Sequence, residues 1–289
     1  MLRLSRRGPS SSDRNSAMVR SVFIVSVQSS RARYRSRSQA LNDTWLRTPF
    51  TIDRVSTSAE RREQLKAVYA EARGCTRCPE LARTRTQVVF GSGNADADLM
   101  FVGEAPGARE DEQGIPFVGA AGKLLDELLG ELGLARSDVF INNVLNCRPP
   151  GNRDPLPAEI ENCQSYLMRR IELIEPRVIC TLGNFATKLL RADPTGISRL
   201  HGRAEIRVIG NCALRLYPLF HPAAALYTRS LVDTLRADFA QIPALLELAL
   251  PEQPELPEPP EPAVPEPGIA SEPEPEPIAP PPASQLGLF

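Results

Sequence analysis

The segment Asp98–Gly130 constrains the fold more than any other part of the chain. An apolar run, Leu99-Met-Phe-Val-Gly103, suits a buried strand, and Lys123-Leu-Leu-Asp-Glu-Leu-Leu-Gly130 has its apolar residues at helical spacing. Between them lies a Gly/Pro-rich loop, Gly103–Gly122, reading GEAPGAREDEQGIPFVGAAG. Strand, loop and helix in this order is the unit of open α/β sheets, which bind ligands beyond the carboxyl ends of their strands. The loop carries Glu104, Glu110 and Asp111, with one aromatic, Phe117, between Pro116 and Val118. A segment that only turned the chain would need neither so many carboxylates nor a ring, although ordinary loop polarity would also account for the charges.

The alternation continues along the chain. Ala59–Arg73 predicts a charged amphipathic helix, Gln87–Phe90 a short strand, and Gly91-Ser-Gly93 a turn. Asp138–Val144 reads as a second core strand with Asn143 at its end. Pro157–Ile174 predicts a helix whose first residue is a proline, where the missing donor is harmless. A third strand over Arg177–Gly183 leads into a helix over Asn184–Leu190. Arg207–Gly210 and Leu214–Phe220 supply the last strands, His221-Pro222 opens a loop, and Leu231–Leu248 closes the unit as one helix. The fold class expected is α/β, with a central, mostly parallel sheet flanked by helices on both faces.

Charge divides the chain. Its 289 residues balance to −1, yet residues 1–57 hold eleven Arg, no Lys and three Asp, whereas residues 251–289 hold eight Glu and no basic residue. The +8 and −8 cancel and leave residues 58–250 nearly neutral, a length ample for one well-buried core. The basic, Ser/Arg-rich start is expected to be a disordered arm, with weak, salt-sensitive DNA attraction as its functional alternative. Residues 251–284 form a Pro/Glu tract expected to be extended and disordered, because proline removes donors and like charge opposes collapse. The tract ends in Gln285-Leu-Gly-Leu-Phe289, an apolar island on a long tether. That peptide resembles the Gln-Leu-x-Leu-Phe pattern by which bacterial proteins bind the DNA sliding clamp, through Gln285, Leu286, Leu288 and Phe289.

Six cysteines divide into two groups. Cys180 sits in an apolar strand and Cys212 beside a Gly-Asn turn, both suited to packing. Cys75, Cys78, Cys147 and Cys163 follow the spacing Cys-x2-Cys-x68-Cys-x15-Cys, in loops or near helix starts. Four thiolates can hold zinc or an iron–sulfur cluster. Zinc ribbons generally show two tight pairs, and here only one pair is tight. Disulfides would call for a secretory signal, which the basic start does not provide.

Three motifs, GEAPG-x2-ED-x2-G-x-PFVG-x2-G, NNV-x2-CRPPGNRDP and HPAAAL, occur in order with the four cysteines in register. Together they resemble the family 4, iron–sulfur uracil-DNA glycosylases over roughly Gln64–Leu246. The resemblance implies a monofunctional enzyme that flips uracil out of DNA, hydrolyses its N-glycosidic bond and leaves an abasic site. It also implies a [4Fe–4S] cluster on Cys75, Cys78, Cys147 and Cys163. Ala105, Phe117 and Asn143 would form the uracil pocket, with Phe117 stacking on the base and the Asn143 amide reading N3–H and O4. His221 would donate to the charge that develops on O2. Glu104 and Glu110, with Asn152 as a possible partner, would position water or stabilise the sugar cation. Leu226, with Tyr227 second, would fill the gap in the stack, and Arg148, Arg153 and Arg229 would reach phosphates. The motifs contain no lysine for a lyase step. The alternative is an iron–sulfur protein that captures uracil or abasic DNA without turnover; His201, in an Arg-rich loop, is the residue that raises it. A monomer in the bacterial cytoplasm, associated with the nucleoid, is expected.

Overall fold

A computed structural model describes residues 57–254. The basic arm up to residue 56, most of the Pro/Glu tract and the terminal peptide lie outside the described residues.

Six strands form one sheet: β1 (Ser92–Gly93), β2 (Leu99–Gly103), β3 (Phe140–Asn143), β4 (Val178–Leu182), β5 (Glu205–Ile209) and β6 (Cys212–Leu219). Their spatial order is β1-β3-β2-β4-β6-β5, with the inner four parallel and the two edge strands antiparallel. β2, β3 and β4 are buried at every residue, as strands covered on both faces must be. On one face Leu99, Phe101, Ile141, Cys180, Tyr217 and Leu219 pack against three helices. These are α4 (Ala120–Glu131), through Leu125 and Leu128, α8 (Ser230–Phe239), through Leu235 and Phe239, and α9 (Ile242–Glu247), through Ile242. A fully buried side chain such as Phe101 contributes about 2–3 kcal/mol of apolar transfer. The alternate residues Met100, Val102 and Ile179 are as fully buried on the opposite face.

The remaining helices are α1 (Ser58–Arg73), α2 (Pro79–Thr84), α3 (Ala108–Gln113), α5 (Pro157–Ile174), α6 (Asn184–Arg191) and α7 (Pro222–Tyr227). α1 starts at a capping box in which Thr57 and Glu60 satisfy each other's backbone donors. It packs along α5, where Glu71 pairs with Arg169.

The structure departs from the sequence reading in several places. Ser92 and Gly93, expected in a turn, pair with Ile141 and Phe140 as edge strand β1, and Ala108–Gln113 of the expected loop is helix α3. Gln87–Phe90 is not a strand: Val89 N–H donates to the Asn146 carbonyl at 2.8 Å, and the Phe90 carbonyl accepts from the Arg170 side chain, so no ladder forms. The expected single closing helix is two, α8 and α9. Pro243, in the first turn of α9, lacks a donor and would crowd the Phe239 carbonyl in a continuous helix. His221-Pro222 opens helix α7 rather than a loop. Gln253, read as linker, is docked on the domain, its amide donating to the Ala213 carbonyl at 2.9 Å and accepting from Ala213 N–H at 3.0 Å.

Candidate functional site

Because β3, β2, β4 and β6 run parallel, their carboxyl ends meet at one edge of the sheet. Gly103 ends β2 in register with Asn143 at the end of β3. Beyond β4, Gly183 N–H donates to Leu219 at the end of β6, which brings the β6 exit at His221 against it. Three motifs far apart in sequence therefore converge.

At the centre is a missing side chain. A Cβ on Gly103 would lie 2.4 Å from Asn143 Oδ1 and 2.6 Å from the tip of the Phe117 ring. The amide and the ring both rest against the Gly103 backbone, and only glycine leaves room for them. The Phe117 and His221 rings stack, with centroids 5.6 Å apart and planes 26° from parallel. Phe117 and Asn143 are 6 % and 2 % exposed.

Phe117 is held in a strained backbone conformation, φ 54°, which an aromatic residue adopts only when its surroundings impose it. Arg136 donates to the Pro116 carbonyl at 2.9 Å and to the Phe117 carbonyl, and pairs with Asp126 at 2.6 Å. A Cβ at position 122 would come 1.8 Å from the Phe117 carbonyl oxygen, so α4 can start this close only with Gly122. Glu110 Oε1 accepts from Val118 N–H at 3.0 Å and Gly119 N–H at 2.8 Å. The buried Asp111 accepts Thr86 N–H on both oxygens. Two carboxylates of the loop are thus bonded to backbone. Glu104 makes no such bond among the described residues; its carboxyl is raised to about 7, first by burial and then by the negative charge of Asp154.

His221 caps α7, its Nδ1 accepting Ala223 N–H at 3.1 Å. Burial pulls the imidazole down to about 4, against the opposing pull of Glu110. The ring is therefore neutral at physiological pH, and since Nδ1 is an acceptor, the proton sits on Nε2.

The other expected residues have varied surroundings. Ala105 follows Glu104 and is half-buried. Asn152 is exposed in a left-handed conformation, its Oδ1 accepting from Arg148 Nε at 2.7 Å. The group from this loop that reaches Glu104 electrostatically is Asp154. Arg153 binds Glu159 at 2.6 Å and Glu80 at 2.8 Å, so its charge is spent on two carboxylates rather than offered to a phosphate. Leu226 is half-exposed at the end of α7, Tyr227 is 91 % exposed beside it, and Arg229 lines an open surface hollow with Asp233 and Arg236. His201 is held by Asp238, Nδ1 to Oδ2 at 2.8 Å, and packs on Phe220.

A second site lies next to the first. Cys75, Cys78, Cys147 and Cys163 line one small cavity, with Arg77, Arg85 and Asn162. Each sulfur faces donors. Arg85 donates to Cys147 Sγ at 3.2 Å, Asn146 N–H to Cys163 Sγ at 3.3 Å and the Asn162 amide to Cys78 Sγ at 3.6 Å. Burial opposes ionisation of Cys75, but hydrogen bonds from the Arg77 backbone, Tyr166 and the Arg77 side chain hold its thiol below the ordinary value. Burial raises the other three, Cys163 to about 11. Among the described residues no three ligating side chains converge on a single-ion site. Cys180 and Cys212 are buried elsewhere, in the sheet.

The chain matches the family model described as "Uracil DNA glycosylase superfamily" over residues 90–245, which contain every element of the Gly103 site. The chain belongs to the uracil DNA glycosylase superfamily. Within it, a Type-4 uracil-DNA glycosylase of Archaeoglobus fulgidus is 46 % identical over 188 residues, 63 % of this chain and 94 % of that protein. Pyrobaculum aerophilum offers an internal comparison. Its Type-4 uracil-DNA glycosylase is 41 % identical, over 61 % of this chain and 91 % of its own length. Its Type-5 enzyme is 31 % identical, over 52 % and 78 %. Similarity thus runs more strongly to the Type-4 branch of the superfamily.

Sequence reasoning missed Arg136, Asp154 and Arg170. Arg136 stands in a plain Leu-Ala-Arg-Ser segment, and nothing local marks it as the clamp on Phe117. Arg170 lies in the middle of an amphipathic helix, where an arginine ordinarily faces solvent.

Proposed function

We propose that this protein is a monofunctional uracil-DNA glycosylase of DNA base excision repair, which hydrolyses the bond between uracil and deoxyribose and leaves an abasic site. The observation that carries the reading is the meeting of Phe117 and Asn143 across Gly103, under a neutral His221. An everted uracil lies on the Phe117 face, with Ala105 at its edge. Asn143 Oδ1 accepts from N3–H while its Nδ2 donates to O4, and cytosine presents the opposite pattern there. As the N1–C1′ bond stretches, electrons pass to the uracil ring and charge builds on O2, where His221 Nε2–H donates. A neutral donor keeps its proton and stabilises the anion by hydrogen bonding. The sugar is left cationic, and ionised Glu104 faces it and orients the attacking water. Glu110, tied to two backbone amides, shapes the loop and biases His221. Leu226 fills the vacated stack with Tyr227 beside it, and Arg148 and Arg229 bind phosphates.

The four cysteines fit a [4Fe–4S] cluster. Zinc would require the sulfurs within about 2.3 Å of one ion, whereas among the described residues no three ligating side chains converge in that way, and the sulfurs receive N–H donors suited to cluster thiolates. Through Cys75, Cys78, Cys147 and Cys163 a bound cluster would join the end of α1, the start of α2, the loop after β3 and α5. The terminal peptide Gln285–Phe289, on its tether, would deliver the enzyme to the sliding clamp in the bacterial cytoplasm, the protein acting as a monomer.

The test is product analysis with a uracil-containing duplex. The reading expects free uracil and a strand that stays intact until alkali, with no adduct trapped by borohydride. An uncut strand under excess protein refutes hydrolysis, and a protein–DNA band surviving denaturation supports capture without turnover instead.

A further inference from the structure

Arg170 is an anomaly that the reaction leaves unexplained. It is fully buried in the middle of α5. Among the described residues no carboxylate pairs with it; the ionisable group whose charge it feels is the Cys163 thiol. A buried cation needs a compensating anion, and here the cysteine site is the one place that can supply it.

The same guanidinium spans the gap between the two sites. Its Nη1 donates to Asn146 Oδ1 at 2.9 Å and to the Phe90 carbonyl, and its Nη2 donates to the Asn143 carbonyl at 3.3 Å. Asn146 in turn donates its backbone N–H to Cys163 Sγ at 3.3 Å. The Phe90 ring lies under the guanidinium, 4.7 Å away. The chain of contacts therefore runs from Cys163 through Asn146 and Arg170 to the backbone of the residue that reads the base. Around it, the Arg170 Nε, the Asn146 amide nitrogen and both amide atoms of Asn142 are buried without a hydrogen-bond partner. Polar groups left in this state keep a single arrangement only if something stronger fixes it.

We propose that Arg170 is a positioning residue for uracil recognition: it balances the negative charge of the four-cysteine site and transmits the order of that site to Asn143. The proposal rests on the cluster reading given above. With cluster thiolates in place, Arg170 is neutralised and locked, and the end of β3 is held so that the Asn143 amide meets the base edge. With the thiolates gone, the cation loses its counter-charge and the strand end its brace.

The experiment uses the full chain, purified without air, as wild type, Arg170→Lys, Asn146→Ala, Asn143→Ala and the Arg170→Lys/Asn143→Ala double variant. Iron release to a chelator and single-turnover uracil excision are followed in parallel. Residues next to a metal site typically change affinity or activity by about 10–100-fold when altered. Arg170→Lys is expected to release iron about tenfold faster and to slow excision about tenfold. Asn143→Ala is expected to slow excision with iron release unchanged, and Arg170→Lys added to it is expected to slow excision less than about twofold further. Asn146→Ala keeps the charge and shifts both readouts in the same direction, which preserves the test if Arg170→Lys does not fold. Iron release unchanged in Arg170→Lys or Asn146→Ala, or excision effects of Arg170→Lys and Asn143→Ala that multiply, overturns the inference alone. A wild type that cuts uracil but holds no iron overturns the cluster reading and this inference with it.

Discussion

Glu104 offers the sharpest handle on the chemistry, because its environment sets a pH signature. Burial first, and the neighbouring Asp154 charge second, move its carboxyl from 4.5 to about 7. If the ionised form faces the sugar cation, kcat/KM must climb through pH 7 and fall about tenfold per unit below it, leaving about 1 % of the plateau at pH 5. Glu104→Gln should lower the plateau and abolish that limb. Stability carries the opposite sign. The folded protein holds the proton to higher pH than the unfolded chain, so stability declines as pH rises from 4.5 towards 7, and the full penalty persists above 7. The displacement corresponds to about 3 kcal/mol; the side chain is only partly buried, so solvent screening reduces this to about 1–2 kcal/mol. Glu104→Gln should therefore be stabilised by that amount at pH 8 and by nothing at pH 4. Denaturant titrations at the two pH values, beside single-turnover rates from pH 5 to 9, measure both effects. A Glu104→Gln enzyme that kept the pH 7 limb would refute the assignment, and equal stability differences at pH 4 and 8 would refute the account of its environment.

Four further outcomes follow from the geometry. His221→Ala should cost about 10²–10³ in the single-turnover rate, as loss of a donor to a developing oxyanion does, and wild-type imidazole NMR should show neutral, Nε2-protonated His221 at pH 6. Gly103→Ala, whose added methyl would press on Asn143 and Phe117, should lose activity at least 10²-fold with circular dichroism unchanged. Cys147→Ser should cut iron per chain and the melting temperature together, measured by iron assay and calorimetry. Deleting Gln285–Phe289 should abolish sliding-clamp binding in surface plasmon resonance and leave excision from short oligonucleotides unchanged.

Much of this fold was legible because parallel strands buried on both faces read as largely apolar runs, and four of them stand where such runs occur. The site was legible for a related reason: each motif lies just past a strand, and parallel topology carries strand ends to one edge. The failures share a different cause. Val88, Val89 and Phe90 are as apolar as a strand, and whether they pair depends on Arg170, eighty residues away. Helix α3 hides inside the central loop because it is short and charged and its fixed points, Thr86 with Asp111 and Gly119 with Glu110, are tertiary. Arg136 holds Phe117 through carbonyls, which leave no trace in side-chain patterns. Arg153 read as a phosphate contact because its ion-pair partner Glu80 belongs to a distant helix.

The most direct measurement of the central claim is single-turnover cleavage by the full chain of two duplexes that differ only in uracil or cytosine at one position, with Asn143→Ala alongside. Wild type should render the uracil strand alkali-labile and leave the cytosine strand whole, and Asn143→Ala should lose most of the uracil rate through the broken N3–H and O4 contacts. A wild type that treats both strands alike, or an Asn143→Ala enzyme that cuts uracil at full speed, would contradict the account.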